Sequence, residues 1–128
     1  MRRRTYFKAM LAGFLSSCGA QAKEPSIELQ LDLSVNPAKE KEMLKNFHTV
    51  FRPAASKQPG FIDSKMLKLS SALQGSAPAG ANYRFMISFA SEGDRKKWVA
   101  TAVHQRVWPL IENALSSKNY TILLYEVS

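Results

Sequence analysis

The chain has 128 residues, 45% of them hydrophobic, which predicts one globular domain and excludes an intrinsically disordered protein. Its formal net charge of +8 is uneven: four of the 18 Lys and Arg residues lie in the first 22 positions, where there is no acid, and the other 14 accompany all 10 acids. Those 14 are scattered, and their one cluster, Arg95-Lys96-Lys97, is interpreted as a solvated helix face. No nucleic-acid-binding motif accompanies them, so we expect no nucleic-acid partner.

Residues 1–22 resemble an export signal. Three arginines, Arg2–Arg4, precede a short apolar stretch, and the run from Arg3 to Lys8 resembles a twin-arginine signal, which is an address read by a receptor. The apolar stretch is far shorter than the ~20 residues that a membrane span requires. We therefore expect an exported protein of the periplasm or cell envelope.

Two processing points compete in this segment. Ala20-Gln21-Ala22 fits an A-x-A cleavage motif and would release a protein that begins near Lys23. Leu15-Ser16-Ser17-Cys18 resembles a bacterial lipobox, which would leave Cys18 lipid-modified and would be the one predicted attachment to a membrane. Cys18 is the single cysteine of the chain, so the predicted domain over residues 23–128 has no disulfide and no thiol catalyst.

The first half of this domain is predicted to form a strand followed by a helix. Residues 26–35 alternate between apolar and polar side chains, which predicts a strand with one apolar face. Asn36-Pro37 supplies an N-cap and a proline in the first turn, and Pro53 is predicted to end or bend the helix. The apolar stripe of this helix consists of Met43, Leu44, Phe47, Val50 and Phe51.

The second half contains three more strands and a second helix. The predicted strands are Phe61–Leu69, Asn82–Phe89 and Asn119–Val127, and a Ser-, Ala- and Gly-rich loop over 70–81 joins the first two. Ser91-Glu92-Gly93-Asp94 resembles a capping box, which predicts that the helix begins there. Pro109 is predicted to start a new helical segment that ends at residue 116.

The order β-α-β-β-α-β predicts an α+β protein with a ferredoxin-like fold: a four-stranded antiparallel sheet with two helices on one face. The other face would be uncovered, and the last strand is apolar on both sides, so a monomer would expose a large apolar surface. Pairing two sheets face to face would bury that surface in a dimeric α/β barrel. We therefore expect the chain to form a homodimer.

Three short motifs carry a family resemblance. Gln58-Pro59-Gly60-Phe61, Phe89-Ala90-Ser91-Glu92 and Trp98 followed by Val103-His104-Gln105 resemble the antibiotic biosynthesis monooxygenase-like dimeric α/β-barrel family, and the likeness spans about residues 26–127. This family includes cofactor-free monooxygenases acting on quinols and polyketide anthrones, haem-degrading enzymes, and members without demonstrated catalysis. The resemblance implies the fold and the dimer most directly.

When the functional residues of the haem-degrading branch are matched to positions of this chain, the resemblance disfavours haem degradation. That branch uses a strand-one asparagine, a tryptophan on the second helix and a histidine ten residues later. Trp98 matches the tryptophan, but the histidine position holds Trp108, which cannot be an axial imidazole ligand, and the asparagine position holds Leu29. The resemblance therefore implies no cofactor, and its leading activity is oxygenation of a quinol or polycyclic phenolic substrate.

The candidate site lies on the two helices. Four aromatic residues are the predicted wall of an apolar pocket: Phe47, Phe51, Trp98 and Trp108. His104 is the candidate catalytic base, since neutral imidazole near pH 7 suits deprotonation of a phenol; a structural histidine remains the alternative. Trp98 has the equal alternative of filling the core.

Other kinds of site are not predicted. The two histidines, His48 and His104, are 56 positions apart with no carboxylate at ligand spacing, so we expect no metal site, and His48 is placed on the surface. The sequence leaves two activities open. The alternative to an enzyme is a non-catalytic dimeric barrel that holds a small apolar or aromatic ligand in a stress-related or structural role.

Overall fold

The computed structural model describes residues 24–128. The predicted export signal, the lipobox at Cys18 and the cleavage after Ala22 lie outside this range. The elements in chain order are β1 (Ile27–Leu33), a 3-10 turn (Pro37–Lys39), α1 (Glu40–Asn46), a π-helical turn (Phe47–Phe51), α2 (Arg52–Ser56), β2 (Phe61–Lys68), β3 (Tyr83–Phe89), α3 (Glu92–Ala100), α4 (Ala102–Val107), α5 (Pro109–Glu112) and β4 (Thr121–Glu126).

The four strands form one antiparallel sheet in the order β2-β3-β1-β4. This confirms the predicted ferredoxin-like fold. Alternate residues of the two central strands point to the helices and are buried, for example Leu31 and its partner Phe85. Apolar burial on this one face is what the period-two pattern of β1 predicted. Among residues 24–128, no helix combines the length and apolar character needed to cross a membrane.

The first helix continues past Pro53 to Ser56, because its hydrogen bonding changes before the proline. The Arg52 N–H donates to the Phe47 carbonyl, five residues back, in the π-helical turn. The wider turn keeps residues at four-residue steps on the inner side, and Val50, which the predicted stripe included, is 37% exposed. The buried positions recur every four residues: Met43, Phe47, Phe51 and Ala55.

Two of the motifs that carry the family resemblance meet in space at Gly60. Its φ of +79° lies in the left-handed region that favours glycine, and its carbonyl accepts the Ala90 N–H at 2.7 Å. The Asp94 carboxylate occupies the space where a Cβ at Gly60 would stand. As the sequence predicts, Ser91 caps the helix: its Oγ accepts the Asp94 N–H at 3.1 Å. Gly60 therefore lets the turn before β2 close onto the start of α3.

The second helix is broken at Thr101, eight residues before the break expected at Pro109. Thr101 is extended, with φ −73° and ψ 151°, and separates α3 from α4. Its Oγ1 donates to the Trp98 carbonyl at 2.7 Å and accepts the His104 N–H at 3.0 Å. One hydroxyl thus ends one helix and caps the next. α5 begins at Pro109 as expected.

The face of the sheet opposite the helices is uncovered in the single chain. Polar residues of the central strands pair on it, as where Arg84 Nε donates to Asp32 Oδ1 at 2.9 Å across β3 and β1. The edge strands β2 and β4 add apolar side chains with exposed fractions of 42 to 46%: Leu67, Leu123 and Tyr125.

Candidate functional site

A cavity of about 190 Å³ lies between the sheet and the helices. Its sheet side includes Leu29, Ile87 and Ile122, and its helix side includes aromatic rings, His104 and Arg95. Apolar walls with a few polar groups are the usual composition of a small-molecule site. This cavity is therefore the candidate functional site.

Three of the four predicted wall residues line the cavity: Phe51, Trp98 and Trp108. The Phe51 ring is the centre of this group, because it meets both indoles edge to face at centroid distances of 5.9 Å. The fourth, Phe47, lies behind the wall and stacks on Phe51 at 5.9 Å without reaching the cavity. The π-helical turn explains why the two rings stack, since it places Phe47 and Phe51 one above the other.

His104 lines the same cavity and is half-buried. Its imidazole meets the Trp98 indole edge to face at a centroid distance of 5.0 Å. Nδ1 is buried, and within residues 24–128 it has no hydrogen-bond partner. Burial lowers the pKa of His104 because it disfavours the charged imidazolium. The side chain is thus a neutral imidazole at pH 7, and its Nδ1 is a hydrogen-bonding group that no described residue satisfies. The second histidine, His48, is exposed and lies outside the cavity.

Arg95 is a cavity residue that the sequence analysis placed on a solvated helix face; that placement is wrong. Its side chain is 19% exposed, and its Nε and Nη2 donate to Glu92 Oε1 and Oε2, each at 2.6 Å. This hydrogen-bonded pair raises the pKa of Arg95, and the same pair lowers the pKa of Glu92. The spacing to Trp98 was the available signal, because residues three apart share a helix face.

Tyr120 is a second cavity residue that the sequence analysis did not identify. It precedes β4, and its hydroxyl donates to Glu112 Oε2 at 2.8 Å. Burial and, after it, this bond raise the pKa of Tyr120. Its ring lies 6.3 Å from that of Trp108, so it closes the aromatic wall beside the last strand.

A larger but more open cavity of about 360 Å³ lies beneath the 70–81 loop. Near it, the Tyr83 hydroxyl donates to Glu40 Oε2 at 2.6 Å, and Lys68 pairs with the same carboxylate at 2.8 Å. Burial, followed by the hydrogen bond to Glu40, raises the pKa of Tyr83 to about 12. These polar groups already satisfy one another, which argues for a structural role. In the described part of the chain, no three His, Cys, Asp or Glu residues are grouped as metal ligands would be.

Comparison with known proteins identifies the fold. The sequence matches no protein-family model and no curated protein sequence. Its structure is similar to a dimeric ferredoxin-like protein of unknown function from Jannaschia sp. CCS1, with a TM-score of 0.66 and 13% identity over 80% of this chain and 99% of that one.

Two further structures connect this fold to oxygenases. One, a candidate antibiotic biosynthesis monooxygenase from Caulobacter crescentus CB15, has a TM-score of 0.65 and 17% identity over 83% of this chain and 92% of that one. The other, SnoaB, is a cofactor-independent oxygenase from Streptomyces nogalater. It has a TM-score of 0.63 and 11% identity over 80% of this chain and 93% of that one. The chain therefore has the ferredoxin-like fold found in structures described as antibiotic biosynthesis monooxygenases.

Proposed function

We propose that this protein is a cofactor-independent monooxygenase that acts on a quinol or polycyclic phenolic substrate. The single observation that carries the proposal is the unpartnered, buried Nδ1 of His104 in an aromatic-lined cavity. A buried polar atom without a partner is costly in a folded protein, and a substrate that forms a hydrogen bond with it would remove that cost. The oxygenases among the structures that share this fold support the same reaction class.

In this proposal His104 is the general base. Neutral imidazole takes a proton from the phenol, and the resulting anion carries negative charge on an adjacent ring carbon. That carbon gives electrons to dioxygen and forms a C–O bond as a hydroperoxide. Loss of water then leaves a carbonyl group. In the keto form of the substrate the balance is one CH₂ group plus O₂ giving one C=O group plus H₂O, so the substrate supplies all the electrons.

The aromatic wall contributes position and an apolar medium. Trp98 and Phe51 both line the cavity, and their edge-to-face contact fixes the orientation of the two rings that a flat substrate would meet. Exclusion of water strengthens the interaction between the anionic substrate and nearby donors. The sheet residues Leu29 and Ile87 close the opposite side with alkyl groups.

We further propose that two copies pair through the uncovered sheet face. The exposed Leu67, Leu123 and Tyr125 on that face favour such pairing, and the Jannaschia structure of the same fold is described as dimeric.

Export is likewise a proposal, supported by the twin-arginine-like run that begins at Arg3. The intact mass of the protein recovered from its native cell envelope tests it. A mass beginning near Lys23 indicates A-x-A cleavage, a diacylated Cys18 indicates a lipoprotein, and a full-length chain contradicts export.

Oxygen uptake on a panel of quinols and polycyclic phenols tests the proposed activity. We expect the wild type to consume oxygen with at least one of them and His104→Ala to lower kcat by about 10²–10⁴-fold, the usual contribution of general base catalysis. His48→Ala is the matched control, because it removes the other histidine, which lies outside the cavity. Equal rates in wild type and His104→Ala would contradict the assignment of the base.

The second candidate is a non-catalytic barrel that binds an apolar ligand. The lining of the cavity favours it, because its residues are mostly apolar and binding of an apolar ligand requires no catalytic group. If no phenol stimulates oxygen uptake while aromatic compounds raise the melting temperature, the binding function replaces the catalytic one.

A further inference from the structure

The guanidinium of Arg95 has one donor edge engaged and one edge open. Glu92 accepts from Nε and Nη2, which form the side edge of the guanidinium. The end edge, one N–H from Nη1 and the second N–H from Nη2, has no partner among residues 24–128. Such an edge matches the two oxygens of a carboxylate in a bidentate pair. Arg95 is also one of the residues that line the cavity.

The cavity lining carries one charged donor. Arg95 is the single Asp, Glu, Lys or Arg residue on the cavity lining in the described chain. The formal charges of Glu92, Asp94, Arg95 and Lys96 cancel at the start of α3. The attraction for an anionic ligand therefore comes from the open donor edge of Arg95 and not from a local net charge.

The cavity volume limits the rest of the ligand. About 190 Å³ is only somewhat larger than the ~150 Å³ cavity that holds one benzene ring in an engineered protein. One or two fused rings fit this volume, whereas three or four rings require the larger sites typical of drug-sized ligands. Within the quinol and phenol class, the cavity therefore selects the small members.

We infer that Arg95 is the specificity residue of this site and that the ligand is a one- or two-ring hydroxyaromatic carboxylate. Its carboxylate binds the open edge of Arg95, and its ring lies among Phe51, Trp98 and Trp108. This inference rests on the cavity of the proposed function, but it concerns binding and not turnover. It narrows the substrate class from quinols and polycyclic phenols in general to aromatic hydroxy acids.

Calorimetric titration of the full chain with two matched compounds tests the inference. These are 1-hydroxy-2-naphthoate and 1-naphthol, which share the ring system and the hydroxyl and differ in the carboxylate. We expect the wild type to bind the naphthoate at least about tenfold more tightly, since charge-assisted bonds exceed neutral ones. Equal affinities, or tighter binding of 1-naphthol, would overturn the inference.

Two variants assign the preference to Arg95. Arg95→Gln should reduce the affinity ratio to near one while the Kd for 1-naphthol stays within about threefold of wild type, which also shows that the cavity is folded. Lys97→Gln is the matched control, because it removes the same charge from an exposed position on the same helix, and it should keep the ratio. A ratio that persists in Arg95→Gln, or that Lys97→Gln abolishes, would overturn the assignment.

The titration separates this inference from the proposed reaction. Run without oxygen, it reports binding alone. A strong carboxylate preference with no oxygen uptake on any hydroxyaromatic acid supports the inference and contradicts the monooxygenase. Oxygen uptake with neutral phenols and no carboxylate preference supports the monooxygenase and contradicts the inference.

Discussion

The Trp98 indole and the His104 imidazole are perpendicular, with an interplanar angle of 89°, although the two residues are six apart in the chain. On a continuous helix at 100° per residue they would point about 120° away from each other. The extended residue Thr101 removes that separation by redirecting the chain between α3 and α4. The helix break therefore assembles the candidate site.

We expect Thr101→Ala to disturb both stability and the site. Its Oγ1 caps α4 through the His104 N–H, and loss of such a cap costs about 1 kcal/mol of unfolding free energy. The same change frees the backbone of His104, so the affinity for 1-naphthol should fall as well. Urea unfolding and titration measure the two effects. Thr101→Ser keeps the hydroxyl and should resemble wild type; if it behaves like the alanine variant, the methyl group and not the cap is what matters.

The pH dependence should follow the lowered pKa of His104. The unfolded chain binds its proton near the ordinary value of 6.5, whereas the buried imidazole resists protonation until a lower pH. Between these values the unfolded state holds more protons, so stability falls as pH decreases through 6.5 and levels off below the folded pKa. The difference in urea midpoint between wild type and His104→Gln, measured from pH 8 to 5, should show this fall. A difference that grows in favour of wild type at low pH would mean that the folded state stabilises the imidazolium.

The rate of oxygenation should also depend on the protonation of His104. A base must be neutral to accept a proton, so the catalytic rate should stay constant from pH 8 down to 6.5 and fall only near the lower, folded pKa. A rate that already falls between pH 8 and 7 would assign the titrating group to something other than His104.

The features of this structure that the sequence predicts are those that depend on neighbouring residues in the chain. The alternation in β1 predicts its buried face because one-sided burial dictates a period of two. The break at Thr101 escaped prediction because the residues on either side of it continue a helical pattern, and a threonine cap without a Glu or Gln three residues later is a weak signal. Arg95 was missed for a different reason. Its pair with Glu92 is local, but its place in a cavity with Leu29 and Ile87 of the sheet is a tertiary arrangement that charge clustering does not reveal.

Substitutions of Phe47 and Phe51 should distinguish a role in core packing from a role in ligand binding. Both are 1% exposed and they stack on each other, so Phe47→Leu and Phe51→Leu should each lower the unfolding free energy by about 1–2 kcal/mol. Phe51 alone lines the cavity, so its variant alone should weaken 1-naphthol binding, by about two- to tenfold. Equal loss of affinity in both variants would place Phe47 in the wall after all.

Gly60 should tolerate no side chain while Asp94 is present. Gly60→Ala meets both the strained φ of +79° and overlap with the Asp94 carboxylate, so we expect a loss of about 2 kcal/mol or more. In an Asp94→Ala background the overlap with the carboxyl group is gone and only the close contact with the Cβ of residue 94 at 2.9 Å remains, so the same change should cost less, approaching the ~1–2 kcal/mol of φ strain. A double-mutant cycle on urea unfolding measures the coupling. If the two changes in unfolding free energy are strictly additive, there is no steric overlap between residue 60 and residue 94.

The uncovered sheet face should determine the oligomeric state. Leu123 lies on that face opposite Gln30 of β1 and is 44% exposed, so a carboxylate placed there would be desolvated in a face-to-face dimer. We expect sedimentation equilibrium at micromolar concentration to give twice the chain mass for wild type and the single chain mass for Leu123→Glu. Leu73→Glu is the matched control, because Leu73 is 96% exposed in the 70–81 loop, and it should remain dimeric. A monomeric wild type, or a Leu123→Glu variant that stays dimeric, would mean that this face is not the interface.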